Sequence, residues 1–155
     1  MLYGYQLLNS LSNLISCRHV SVDVFGFDDE LPIPTKLPCG YIINSDKISE
    51  EKYTHWFVVY VDELKNVYYF DSFGIILDPI YRKIKQWGNV FSEVQYNRSV
   101  LQCFDSFVCG CYCVCFIYFL SQGKTFPGFL SLFTDDCLYN DSLALNLFNQ
   151  ITSYG

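Results

Sequence analysis

HWFVVYV, residues 55–61, and VYYFD, residues 67–71, stand on either side of the polar pentapeptide DELKN, residues 62–66. Both runs are continuous in β-branched and aromatic side chains, the composition of strands covered on both faces, and the segment between them is rich in turn formers. They read as the two strands of a hairpin. With the turn centred on Glu63, antiparallel registry pairs residue i with 126 − i and sets His55 opposite Asp71. Partners so placed have Cβ atoms about 4.5–5.5 Å apart on one face of the sheet. An imidazole and a carboxylate at that spacing hydrogen-bond, which fixes the ring's tautomer and favours its protonated form. A slip of one residue would send them to opposite faces.

Working outward, Cys39–Asn44 is a short buried strand, followed by a polar loop from Ser45 to Lys52. The segment FGFDDELPIPTKLP, residues 25–38, carries Gly26 and three prolines and reads as loop. Leu7, Leu8, Leu11, Leu14 and Ile15 recur at helical spacing and predict an amphipathic helix over 5–16. On the other side, Asp78-Pro79 opens a helix, with Asp78 as N-cap and proline at the first helical position, and Gly88 closes it. Val90–Tyr96 is a further strand. Three helices follow, over 109–121 with Gly123 as the stop, near 127–133, and from Asn140 or Asp141 to Gln150. The order is helix, mixed strands, then helices, an α+β domain spanning 1–155.

Composition bounds the function. The chain has 155 residues, 51% hydrophobic and 17% charged, which excludes intrinsic disorder and supplies one real core. Ten basic against sixteen acidic residues give a formal charge of −6, so a surface built to neutralise phosphates is not expected, and Arg82, Lys83 and Lys85 make the only compact basic cluster. The apolar stretch from Phe107 to Leu120 is fourteen residues, about 21 Å of helix, short of the roughly 30 Å of a hydrocarbon core. A buried central helix is expected there, and no membrane span. The N-terminal MLYGYQLLNSLSNLISC has no basic start of the secretory kind. Eight cysteines fall below the density of a disulfide scaffold, and four of them alternate as Cys109, Cys111, Cys113 and Cys115, so a reducing compartment is expected. Residues two apart on a helix diverge by about 200°, so these four do not converge on one tetrahedral ion, and no metal site is expected.

Cys109 differs from its three neighbours in position. It opens the predicted 109–121 helix and is followed by Gly110. A helix N-terminus offers unpaired N–H groups and the positive end of the dipole, which favour a thiolate, and Gly110 leaves room for a carbonyl to approach the backbone. Such a thiolate facing an imidazolium is what Cys–His nucleophilic catalysis requires. Gln102, seven residues earlier, places a side-chain amide where it could join the Cys109 N–H in holding an oxyanion. Asp105 and Ser106 are suited to ordering the loop between them. Trp56 is a candidate to pack on the His55 imidazolium, with strand core as the alternative. His19, beside Arg18, has no nearby carboxylate or cysteine and reads as a loop histidine.

The set His55-Trp56, the run YYFDSFG over 68–74, then Gln102, six residues, and Cys109-Gly110 opening an apolar helix resembles the adenovirus-type cysteine proteases, the adenain family. The likeness runs from about Phe25 to Phe148, taking in FGFDDELPIP and LPCGYIIN upstream and NDSLALNLF downstream. It implies an adenain-like, papain-related fold, a mixed sheet against a central helix that carries the nucleophile at its N-terminus. His55 would be the general base, Asp71 the acid that orients it, Cys109 the nucleophile and Gln102 the oxyanion donor. By the same resemblance the chain would be a monomeric, cofactor-free thiol endopeptidase of a virus or virus-derived element. It would process capsid and core precursors beside glycines during virion maturation, in the virion and the infected cell's nucleus or cytoplasm. A peptide activator belongs to the family pattern, but its disulfide cysteine aligns near Phe91, so attachment there is not expected; stimulation by DNA is not expected of so acidic a chain. The order His, Asp, Gln, Cys is also that of the ubiquitin-like (SUMO) proteases, so an isopeptidase is the alternative enzyme, and a non-catalytic capsid-binding relative is the alternative to an enzyme.

Overall fold

Five strands form one mixed sheet in the order β1-β2-β3-β4-β5: β1 (Ser21–Gly26), β2 (Cys39–Asn44), β3 (Trp56–Val61), β4 (Val67–Phe70) and β5 (Val94–Tyr96). The two outer pairs are parallel and the two inner pairs antiparallel. Among the described residues four helices have both ends placed: α1 (Asp78–Gly88), α2 (Cys109–Ser121), α3 (Phe126–Leu130) and α4 (Cys137–Ser153). The computed structural model describes residues 6, 7, 9, 20–45, 55–76, 78–88 and 93–153. Most of the predicted helix over 5–16, His19, most of the 45–52 loop and Phe91 lie outside them, as does the Asp78 side chain.

The β3 run is apolar without alternation because both faces of the sheet are covered. Trp56, Val58 and Tyr60 enter one core with Phe70 and α2, while Phe57, Val59 and Val61 enter a second with Tyr69 and Ile84 of α1. Helix α2 is apolar on nearly every side and has ten buried residues, the pattern of a helix enclosed by its neighbours. Its Phe116 stacks on Phe70 at 4.8 Å and meets Phe126 and Phe129 of α3 edge-on at 5.2 Å. A buried phenyl ring contributes about 1.5–3 kcal/mol.

The hairpin turn lies where expected, but its centre is displaced. Val58 pairs with Phe70 and Val61 with Val67, so residue i faces 128 − i rather than 126 − i. Asp62 sets this centre: its Oδ1 accepts the Leu64 and Asn66 N–H groups at 2.9 and 2.8 Å, and Lys65 takes a positive φ of 67°. Three other expectations are corrected. Ser21–Gly26, not anticipated as a strand, is β1, an edge whose half-exposed residues give a weak apolar signal. Strand β5 is shorter than Val90–Tyr96 among the described residues. Helix α4 begins at Cys137, ahead of Asn140, because the Asp136 carboxylate accepts the N–H groups of Leu138 and Tyr139 and so provides the cap. No helix among the described residues is long and apolar enough to cross a membrane.

Candidate active site

His55 immediately precedes β3. Its backbone is pinned to the end of β2 on both sides, its carbonyl accepting the Ser45 N–H at 2.8 Å and its own N–H donating to Ser45 Oγ at 3.2 Å. Extending the observed registry places Phe73, not Asp71, across from His55. The imidazole still reaches Asp71, with Nε2 2.8 Å from Oδ1, because a displacement of two residues keeps both side chains on one face and makes them diagonal neighbours. The direct-opposition geometry expected from a Glu63-centred turn is thus corrected to a diagonal one.

Phe73 fills the position opposite. Its ring lies 4.8 Å from the His55 ring at a 38° tilt and 6.4 Å from Phe104, which is 95% exposed. Trp56, by contrast, is buried in the core on the α2 side of the sheet. The aromatic contact that the sequence suggested for Trp56 is made to His55 by Phe73.

Asp71 is buried and held from behind: its N–H donates to Asn97 Oδ1 at 3.0 Å and its carbonyl accepts Asn97 Nδ2 at 2.7 Å. Oδ1 also accepts the Phe73 N–H at 2.8 Å, while Oδ2 is buried without a hydrogen-bond partner. The chain then turns back through a Gly74 N–H to Asp71 carbonyl bond of 2.9 Å. Gly74 has φ of 62°, and a Cβ there would come within 2.6 Å of the Arg98 carbonyl oxygen. Only glycine lets this turn lie so close to 98–99.

Cys109 is the first residue of α2 and is buried. Helix geometry leaves its N–H and that of Gly110 without an intrahelical acceptor. Burial alone would pull His55 down, but the Asp71 carboxylate, through its hydrogen bond and its charge, and Cys109 outweigh this and raise it from 6.5 to about 9. With Nε2 committed to Asp71, the ring nitrogen left for a sulfur is Nδ1, which is buried and makes no hydrogen bond. Four other free thiols among the described residues lie in apolar surroundings. Burial pushes Cys39 up to about 11 and Cys111 up to about 12, and carries Cys113 and Cys115 upward as well.

A reactivity difference follows from this contrast. His55 keeps its proton up to about pH 9, so Cys109 has a cationic partner throughout the neutral range while its buried neighbours stay protonated. Iodoacetamide at pH 6, read residue by residue by mass spectrometry, is expected to label Cys109 at least ~10-fold faster than Cys39 or Cys111. In His55→Ala that advantage should vanish; equal labelling in the wild type would refute the pairing.

Gln102 is buried before α2, its backbone N–H accepted by the Ser72 carbonyl at 3.0 Å. Its Nε2 donates to the Ser106 carbonyl and to Ser106 Oγ, each at 3.0 Å, and its Oε1 accepts the Ser72 hydroxyl at 2.6 Å. Both amide hydrogens are therefore held by Ser106 in this state. Ser106 was expected to order the loop by side-chain-to-backbone bonding; its hydroxyl and its carbonyl instead accept from the Gln102 side chain.

Several supports were not read from sequence. Cys103 and Cys137 form a disulfide that ties the residue after Gln102 to the start of α4. Asn140 Nδ2 donates to the Leu101 carbonyl at 3.1 Å, and Asp141 accepts the Cys103 N–H at 3.3 Å and the Tyr112 hydroxyl at 2.9 Å. Asn140 and Asp141, expected to begin a helix, instead anchor the segment bearing Gln102. Among the described residues no cluster of three or more His, Cys, Asp or Glu is arranged to hold a metal ion.

No protein family and no curated protein matches the sequence. Two solved structures of the ASFV pS273R protease, one of them the selenomethionine form, are similar in fold at a TM-score of 0.49, with 21% and 20% identity. The similarity covers 74% of this chain and 42% and 41% of theirs, so the chain spans about two fifths of the length of those proteases.

Proposed function

We propose that the chain is a cysteine endopeptidase of adenain-like fold, with Cys109 as nucleophile, His55 as general base and acid, Asp71 as the group that orients His55, and Gln102 as oxyanion donor. The observation that supports this reading is the 2.8 Å contact between His55 Nε2 and Asp71 Oδ1, joining separated segments, with the imidazole raised to about 9 under the influence of Asp71 and Cys109. A thiolate at the start of α2 attacks a peptide carbonyl carbon, the C=O electrons move onto oxygen, and a tetrahedral oxyanion forms. The Cys109 N–H and a Gln102 N–H now resting on Ser106 Oγ receive that oxygen. As the oxyanion collapses, the C–N bond breaks and His55 gives its proton to the departing amine. Water, deprotonated by His55, then cleaves the thioester and restores the thiolate. Gly110 gives the reacting carbonyl access to the helix end. Phe104 and Phe107, exposed on either side of the intervening loop, offer apolar surface against which an extended chain can lie.

The resemblance of the motifs supports the finer reading as well: a viral or virus-derived enzyme that cleaves precursor polypeptides beside glycine, without cofactor. The test is direct. Fluorogenic peptides with an internal Gly-Gly, a ubiquitin-like adduct and denatured capsid precursors are each incubated with wild type and Cys109→Ala, and new termini are identified by mass spectrometry. Cleavage of short peptides and precursors by the wild type alone is expected. Release of only the ubiquitin-like adduct would establish the isopeptidase instead, and no cleavage of any substrate would favour a binding module.

A further inference from the structure

The loop that supplies Asp71 also supplies the support of Gln102. Ser72, the next residue, is buried, and its carbonyl accepts the N–H groups of Leu101 and Gln102 at 2.9 and 3.0 Å. Its hydroxyl is 2.6 Å from Gln102 Oε1. The direction of this bond is fixed by the far end of the amide. The Ser106 carbonyl can only accept, so the group facing it is the NH2 and the group facing Ser72 is the oxygen. The Ser72 hydroxyl must therefore donate. Were the amide to turn over, its oxygen would oppose the Ser106 carbonyl, which would lose its donor.

We infer that Ser72 is a positioning residue for oxyanion stabilisation: its hydroxyl holds the Gln102 amide with its NH2 facing Ser106, in the loop that leads to Cys109. The inference rests on the reading of Cys109 as nucleophile but concerns a residue with no contact to the reacting atoms. It gives the Asp-Ser-Phe-Gly turn four separate tasks, the acid, the amide clamp, the ring on His55 and the close backbone approach.

The clamp acts only where an oxygen becomes anionic, which separates it from a structural role. A peptide ending in glycinal adds the Cys109 sulfur to its aldehyde carbon, the C=O π pair becomes an alkoxide, and protonation gives a hemithioacetal. Iodoacetamide is displaced at carbon with loss of iodide and makes no oxyanion. Ser72→Ala should weaken the glycinal inhibitor about 10- to 100-fold, within the loss expected for an oxyanion donor, while the alkylation rate of Cys109 stays at the wild-type value. On peptide substrates the same variant should lower kcat with KM unchanged. Ser72→Thr, which keeps the hydroxyl, should retain aldehyde affinity, and Ser72→Ala combined with Gln102→Ala should be no weaker than Gln102→Ala alone. The clamp is refuted if Ser72→Ala binds the aldehyde as the wild type does, if Ala and Thr variants lose affinity alike, or if alkylation falls in proportion. Wild-type Cys109 that neither adds the aldehyde nor alkylates faster than Cys39 would instead remove the peptidase reading, and this inference with it.

Discussion

Cys109→Ala will bring peptide cleavage down to the uncatalysed background, a loss of about 10⁴- to 10⁶-fold in kcat, and His55→Ala will do nearly the same. Sulfur and imidazole act as one unit, so the double variant should be no worse than either single one. The fold should survive the cysteine change, because Cys109 is a small buried residue at a helix start and alanine is a good helix former. Thermal melts of Cys109→Ala close to the wild type, together with absent turnover, are the expected pair of results. Retention of more than about a hundredth of wild-type activity in Cys109→Ala would exclude it as the covalent nucleophile, since no other free thiol among the described residues is coupled to His55.

Asp71→Asn will have the second largest effect, and its size will depend on pH. In the wild type His55 stays protonated until about pH 9, held up against burial by Asp71 and Cys109. The asparagine variant keeps the burial and loses the carboxylate, so the folded-state value falls and less of the ring is protonated at pH 8. A loss of about 10²- to 10⁴-fold in kcat/KM is expected there, smaller at pH 6, with the alkaline limb moved down from near 9. The stability consequence has a definite sign. A group raised from 6.5 to about 9 contributes stability that is present in full below pH 6.5 and is lost as pH rises through 9. The difference in Tm between wild type and Asp71→Asn should therefore be largest below pH 6.5 and close by pH 10. A gap that widens with pH would show that Asp71 acts through something other than the imidazolium.

How much of this was legible depends on the range of the interactions involved. The β3–β4 hairpin, β2 and α2 are written in local composition, because strands covered on both faces and an enclosed helix leave long apolar runs, and α1 is marked by Asp78-Pro79 at its start and Gly88 at its end. The register was misplaced by two residues since it is fixed by Asp62 hydrogen bonds within the turn, which composition does not count. Parity survived the error, and so did the His55–Asp71 contact. Strand β1 was missed because an edge strand buries too little to show a pattern. At the site, His55, Asp71, Gln102 and Cys109 each belong to a recognisable local motif. What Ser72, Asn97, Asn140 and Asp141 hold is not legible in this way, even where they fall inside a quoted motif, since their bonds join residues 26 to 39 apart. Phe73 took the place proposed for Trp56 because the shifted register puts it opposite the imidazole.

The bridge between Cys103 and Cys137 puts two sulfur chemistries a few residues apart with opposite needs. A reductant added at the bench to keep Cys109 from oxidising will, at sufficient strength, also open the bridge one residue beyond Gln102. The segment there would then be tied to α4 through the hydrogen bonds of Asn140 and Asp141, with no covalent link. Turnover plotted against reductant concentration should accordingly pass through a maximum rather than reach a plateau, and preparations handled in different buffers will differ in specific activity for a reason that lies outside the catalytic groups.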